Sequence, residues 1–419
     1  MNYARISLKL KEQILRFSGE LSSGLPKVVR RFLREMIYGI QARQSVRLTE
    51  IARSLGERIS IKKTHMRLSR QLGREGLWKK IINSLCKLGS KRIKEDSLLV
   101  VDISDISKKY AKHMEYLARV RDGSEGEIAN GYWTCNVVGV ERGEVSIIPL
   151  YSKLYSQNSN DFLSENEEIK EAIFTVCSYT ERRGIWVLDR GGARKNIIHP
   201  LLDKKLKFII RLRGTRQLIY RGKRLSARQL AESCPLPYME KVVKEEGKEE
   251  KIYFLEFGMR RVKLPERGEQ LSLIVFRELG KERIILLTNV ELRRSRSSLW
   301  KIVESYLNRW RVEETIRFIK QSYQVEDIRL LTYKRLQNMM AMVMASAYFT
   351  MVYLGLRTKL RVLARHLLKA AKRVFGIPEF HFYALADGIK EFLFNQKKGI
   401  TAFNLIVKNQ YVQRSLFDP

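Results

Sequence analysis

The 419-residue chain is 44% hydrophobic, enough to bury a core and to form two or three domains. Lysine and arginine total 80 against 45 aspartate and glutamate, a formal net charge of +35. That excess excludes the charge-balanced surface of a typical metabolic enzyme and implies a polyanionic partner, nucleic acid before membrane or acidic polymer. Because the charge is spread along the chain, a broad binding surface is expected, with counterion release and an affinity that falls steeply with salt. Four cysteines (Cys86, Cys135, Cys177, Cys234) stand far apart with no CxxC, so neither a zinc knuckle nor a disulfide framework is expected and a reducing cytoplasm fits best.

The start, MNYARISLKLKEQ, has no apolar run or small-residue cleavage site, so secretion is not expected. Through residue 95 apolar side chains recur at three and four, as in Val28, Val29, Phe32, Leu33 and Ile37, which predicts helices. This region carries 23 basic and 7 acidic residues. Thr49 is read as the N-cap of EIARSLG and Gly56 as its stop. IKKTHMRLSRQLG then resumes as a helix bearing Lys62, Lys63, Arg67 and Arg70. Helix, turn and basic helix suggest an element presenting its second helix to DNA, or two packed helices with a solvated face.

At Ser97 the period changes. LLVVDIS reads as a strand, and GYWTCNVVGV and VSIIPLYSKL as a hairpin closed over ERGE. A helix from about Asp161 to Arg183 leads to the strand IWVLDRGG, then a helix and the strand FIIRLRG. The order β-β-β-α-β-α-β predicts a mixed sheet covered by helices. Asp102 and Asp189 each follow a β-branched run and are expected where strands meet loops, the edge at which sites on sheets are built. Asp105, three residues after Asp102, is the alternative first carboxylate. From about Thr215 to Ser295 strand-like runs return between charged loops such as EKVVKEEGKEEK, a β-rich insertion.

After Ser297 the pattern is helical almost to the end, with a break at Gly376 to Pro378. Tyr306, Arg309, Glu313 and Lys320 are separated by three, four and seven, so one helix would hold them within an arc of about 60°. Glu314 would point away. Three carboxylates suit hard divalent cations that prefer oxygen, magnesium or manganese rather than zinc. Two such ions can activate a water or 3′-hydroxyl and stabilise the leaving oxygen of a phosphodiester displacement. Arginine and lysine on the same helix face would hold a DNA phosphate beside them. Met339 to Leu356 runs 18 residues without a charge. It has the minimum length for a membrane span, but its charged helical neighbours favour a buried core helix.

These residues resemble the DDE insertion-sequence transposases, specifically the IS-four-like family. Its signature Y-x2-R-x3-E-x6-K is matched in full by YLNRWRVEETIRFIK, with LDRGG and LLTN in similar contexts. The resemblance covers roughly Ser97 to Met340. It implies an RNase H-like core with Asp102, Asp189 and Glu313 as metal-binding catalytic residues, holding Mg2+ or Mn2+, two ions. It also implies Tyr306, Arg309 and Lys320 as contacts to the DNA strand being cut; Arg190 is a further candidate DNA contact, Trp310 could stack or pack, and Trp300 is a candidate for holding a flipped base.

The expected layout is α+β. Residues 1–95 form an all-helical basic DNA-binding region, 96–213 the first part of the RNase H-like core, and 214–295 the β-rich insertion. Residues 296–375 form the second part with the signature helix, and 376–419 a helical tail. The expected activity is cut-and-paste cleavage and strand transfer at inverted-repeat ends of an insertion sequence, by a homodimer acting on double-stranded DNA in the cytoplasm at the nucleoid. The alternatives are an RNase H-like nuclease that does not join, and a non-catalytic transposase-derived DNA-binding protein.

Overall fold

The computed structural model of the chain describes residues 3–123, 125–141, 147–246, 249–278, 281–354, 358–370, 382–394 and 399–400. Five helices come first: α1 (Tyr3–Leu21), α2 (Lys27–Arg43), α3 (Leu48–Ser54), α4 (Ile61–Leu72) and α5 (Leu77–Ser90). The apolar stripe read from the sequence is their buried face, except that Val28, counted in it, is 55% exposed. Phe32, Leu33, Met36 and Ile37 of α2 are each at most 1% exposed.

The next elements build the core sheet: β1 (Leu98–Ser107), β2 (Ala118–Arg121), β3 (Ile128–Val140), β4 (Ile147–Tyr155), α6 (Glu165–Thr180), β5 (Ile185–Leu188), α7 (Lys195–Asp203) and β6 (Lys207–Arg211). β4 pairs with β3 and β3 with β1, both antiparallel, whereas β1 with β5 and β5 with β6 are parallel. The resulting order β4-β3-β1-β5-β6 is that of an RNase H-like core, as expected. The two parallel steps are bridged by α6 and α7, as parallel pairing requires. IWVL of β5 is buried throughout, because a strand flanked on both edges and covered on both faces must be apolar without alternation. The expected turn ERGE lies largely outside the described residues.

The β-rich segment continues this sheet. β7 (Gln217–Tyr220), β8 (Lys223–Ser226), α8 (Ala227–Glu232), β9 (Tyr238–Glu246), β10 (Glu249–Lys263), β11 (Gln270–Glu278) and β12 (Ile284–Thr288) follow β6, and β12 returns to pair with β6. The sheet therefore has twelve strands running on through β6-β12-β11-β10. Of the charged stretch EKVVKEEGKEEK, read above as a loop, residues 240–246 and 249–251 are paired strand residues of β9 and β10. Ladder pairing satisfies its backbone, which composition alone does not reveal.

The chain closes with α9 (Arg296–Leu307), α10 (Trp310–Ser322), α11 (Tyr333–Tyr348), α12 (Thr358–Ala370) and α13 (Phe382–Phe394). α11 runs on through a π-helical turn at Phe349–Tyr353. Every residue from Asn338 to Leu354 is buried, among α2, α4, α5 and β4. Polar members of that segment are satisfied internally: Gln41 Nε2 donates to the Ser346 carbonyl at 2.7 Å and to Thr350 Oγ1 at 3.0 Å. Among the described residues no helix is long and apolar enough to cross a membrane. The Gly376 to Pro378 break lies outside the described residues.

Candidate active site

Strand register brings the two aspartates together. Leu98, Leu99 and Val100 of β1 pair with Ile185, Trp186 and Val187 of β5. Continued by two steps, that register would put Asp102 level with Asp189, the residue just after β5, and the Asp189 charge acts on Asp102. β1 does not end at Asp102. It continues to Ser107 because ISDIS keeps pairing with β3, whereas β5 stops at Leu188. Asp102 thus stands where β1 loses its parallel neighbour, and that loss opens the edge. Asp189 caps the 3-10 turn Arg190–Gly192, its Oδ1 accepting from the Gly191 N–H at 2.7 Å. Gly192 folds back so closely that a Cβ there would lie 2.5 Å from Leu188 Cβ.

The third carboxylate arrives on α10. Glu313 is 48% exposed at its side chain, whereas Glu314 is buried and paired with Arg317, the opposite orientations expected one step apart on a helix. Arg309 joins the group. Its guanidinium lies 3.8 Å from Asp102 Oδ1 and also bonds Glu313 Oε1. Burial raises the Asp102 carboxyl to about 7; Arg309 works against that rise, while Asp189 and Glu313 add to it.

The continuous signature helix is not found. Asn308 and Arg309 separate α9 from α10, since α9 packs on β9, β10 and β11 whereas α10 packs on β1, α11 and α13. Tyr306 falls on α9, 6% exposed, its ring edge-on to Phe276 at 6.4 Å. Lys320 is on α10 but meets Asp105 Oδ1 at 3.3 Å and Glu326 Oε1 at 3.8 Å. Asp105 is buried, held by Lys320 and by the Gly123 N–H at 3.3 Å. The alternative carboxylate therefore pairs with a lysine, and Asp102 is the one grouped with Asp189 and Glu313. A cleft of about 800 Å3 opens between β1 and α10 beside Asp102, Asp105, Glu313 and Lys320.

The donor set fits a hard divalent cation. Its oxygens are all carboxylate, and mutual repulsion is already relieved by a cation, the Arg309 guanidinium. As the side chains stand, no three His, Cys, Asp or Glu groups among the described residues close around one point. Binding would require Arg309 to leave Asp102.

Residues 156–349 match the transposase DDE domain family. The matched region runs from the end of β4 to the π-helical turn and holds Asp189, Tyr306, Arg309, Glu313 and Lys320. It stops short of Asp102 and of the N-terminal helices. Among curated proteins none matches the chain. A solved structure, the cryo-EM structure of piggyBac transposase synaptic complex with hairpin DNA, aligns with 96% of this chain and 82% of that one at 11% identity and a TM-score of 0.45.

Within residues 156–349, Arg190 is exposed directly after Asp189, and Trp310 is 38% exposed at the start of α10. Trp300 instead packs on Phe257 of β10 at 5.8 Å. Trp133 escaped the sequence reading. It lies opposite Asp105 across β1 and β3 and lines the cleft beside Asp102; a bulky aromatic inside a strand that flanks a carboxylate strand was the available signal.

Outside the region, α3 begins at Leu48, so Thr49 lies within its first turn and is not the N-cap. Ser60 caps α4, accepting from the Lys63 N–H at 3.4 Å. Gly56, at φ 56°, is the left-handed stop. Lys62, Lys63 and Arg70 are exposed on α4. Arg67, unlike these, is ion-paired: it is held by Glu35, whose side chain is fully buried, and by Glu57 at 2.8 Å. Arg67 faces the α2–α4 packing instead, a distinction helical spacing does not make.

Proposed function

We propose that the chain is a transposase that binds the inverted-repeat ends of an insertion sequence and carries out DNA cleavage and strand transfer by cut and paste, with Asp102, Asp189 and Glu313 as its carboxylate triad. The level placement of Asp102 and Asp189 at the open edge of β1 and β5, with Glu313 reached through Arg309, carries this reading; the family match over 156–349 supports it.

In this reading the three carboxylates hold magnesium or manganese, two ions, which supply activation of the attacking water or 3′-hydroxyl and stabilisation of the leaving oxygen. Arg309, released from Asp102, turns its guanidinium to a phosphate of the strand being cut, a bidentate match. Tyr306 and Lys320 flank it, Arg190 holds phosphate beside Asp189, and Trp310 offers a stacking face. Lys62, Lys63 and Arg70 on α4 contact the duplex, with α3 as the supporting helix. The active form is a homodimer on two DNA ends, in the cytoplasm at the nucleoid.

The test is strand transfer with precleaved ends taken from the DNA flanking the gene. Wild type should join them to target DNA with Mg2+ or Mn2+ and not in EDTA. Asp189→Asn should bind the same ends and not join them. Joining at the wild-type rate by that variant would refute the site, and cutting without joining by wild type would make the protein a nuclease.

A further inference from the structure

A second cleft lies on the far side of Asp189 from α10. Leu188 of β5 pairs with Ile210 of β6, so one register step puts Asp189 level with Arg211, as Asp102 is level with Asp189. Across three parallel strands the row reads Asp102, Asp189, Arg211, about 10 Å from end to end at the backbone. Arg213 follows β6. β12 runs antiparallel to β6, so its first residues, preceded by Arg283, reach the same edge. α8 contributes Arg228 from above. These side chains, with Arg190 and Lys281, line a cleft of about 790 Å3 whose acidic members are Glu232 and Glu282.

The cations differ in how far they are committed. Lys281 pairs with Glu278 at 3.0 Å, and Arg283 donates to the carbonyls of Ala231 and Cys234. Among the described residues Arg190, Arg211, Arg213 and Arg228 make no ion pair, and Arg190, Arg213 and Arg228 are exposed. Like charges gathered in one concavity repel each other, a cost that a polyanion offsets. Arginine forks match phosphate oxygens in pairs. The sequence signal is FIIRLRG: one arginine ends β6 and another follows it, as aspartate follows β5.

We infer that this cleft holds the phosphate backbone of DNA beside the reacting phosphate, so that the strand crosses the sheet edge from the carboxylates onto β6, β12 and α8. The inference rests on the DNA-processing function proposed above. It adds a specific surface, separate from α4, and a direction for the strand.

The experiment measures the affinity of the full chain for a fluorescent 30-base-pair duplex of arbitrary sequence, in EDTA, from 50 to 300 mM salt. Arg213→Ala/Arg228→Ala, two exposed positions, is compared with wild type and with Lys62→Ala/Lys63→Ala, all three with matched thermal unfolding midpoints. Loss of two phosphate contacts should make the slope of log K against log salt shallower by about 1.8. A slope and affinity equal to wild type in the cleft variant overturn the inference, the more so if the α4 variant alone is weakened. The strand-transfer assay separates the two claims: joining by wild type with an unaffected cleft variant leaves the function standing and removes the cleft. A weakened cleft variant with no joining by wild type removes the function and keeps a DNA-binding cleft.

Discussion

The Arg309 guanidinium sits 3.8 Å from Asp102 Oδ1 while bonding Glu313 Oε1. One arginine thus ties the carboxylate on the sheet to the carboxylate on α10 and supplies the positive charge this cluster needs. Arg309 is the second of the two residues between α9 and α10, so the tie depends on that break.

Arg309→Ala should therefore destabilise the metal-free protein by about 1–3 kcal/mol, because Asp102 keeps its acidic neighbours and loses its cation. The same variant should gain more from magnesium than wild type does, since no guanidinium has to be displaced. Thermal unfolding in EDTA and in 10 mM MgCl2 reads both effects. Equal magnesium shifts in the two proteins would remove Arg309 from the ion's position.

Gly192→Ala forces a Cβ to within 2.5 Å of Leu188 Cβ, so the turn that aims Asp189 must shift. Expected is a loss of strand transfer of at least about tenfold, in keeping with the sensitivity of catalysis to ångström displacements. The change in stability should be about 1–3 kcal/mol. Wild-type joining with unchanged stability would show that the turn tolerates the methyl and does not fix Asp189.

Arg67→Ala should act on folding more than on DNA. It leaves Glu35, fully buried at its side chain, with the Arg31 pair and the nearby charge of Arg34, and the expected loss is about 2–4 kcal/mol in urea unfolding. Lys62→Ala/Lys63→Ala should leave unfolding within about 0.5 kcal/mol of wild type and weaken duplex binding. The reverse pattern would return Arg67 to the DNA surface.

Lys108 is buried and donates to the backbone carbonyls of Glu326 and Ile328, the latter at 3.1 Å. Burial lowers its ammonium to about 8, against the pull of Glu326 and Asp327. The unfolded chain, with lysine near its ordinary value of about 10.4, binds more protons between those two points. Stability owed to this residue must therefore rise with pH across that window, by about 3 kcal/mol in total. The difference in unfolding free energy between wild type and Lys108→Met, followed from pH 7.5 to 10.5, should climb in favour of wild type. A flat difference would place the ammonium in water.

The sequence by itself marked most of the elements and the residue types proposed for the candidate site. A period of 3.6 marks the N-terminal helices, because burial of one face is a local property of the pattern, and continuous apolar runs mark the core strands that are covered on both faces. Asp102, Asp189 and Glu313 stood out because each sits at the end of a run or on a helix face whose chemistry is legible without coordinates. Tertiary structure alone decided what depends on registers and partners distant in sequence. Pairing with β3 carried β1 past Asp102, while the end of β5 made that same residue an edge. Packing on two different surfaces broke the signature helix at Asn308 and Arg309. Charge counts did not distinguish Arg67, which is committed to a buried glutamate, from Lys62 and Lys63. Nor did they reveal that Arg211 stands level with Asp189, since that alignment is set by hydrogen bonds between strands more than twenty residues apart.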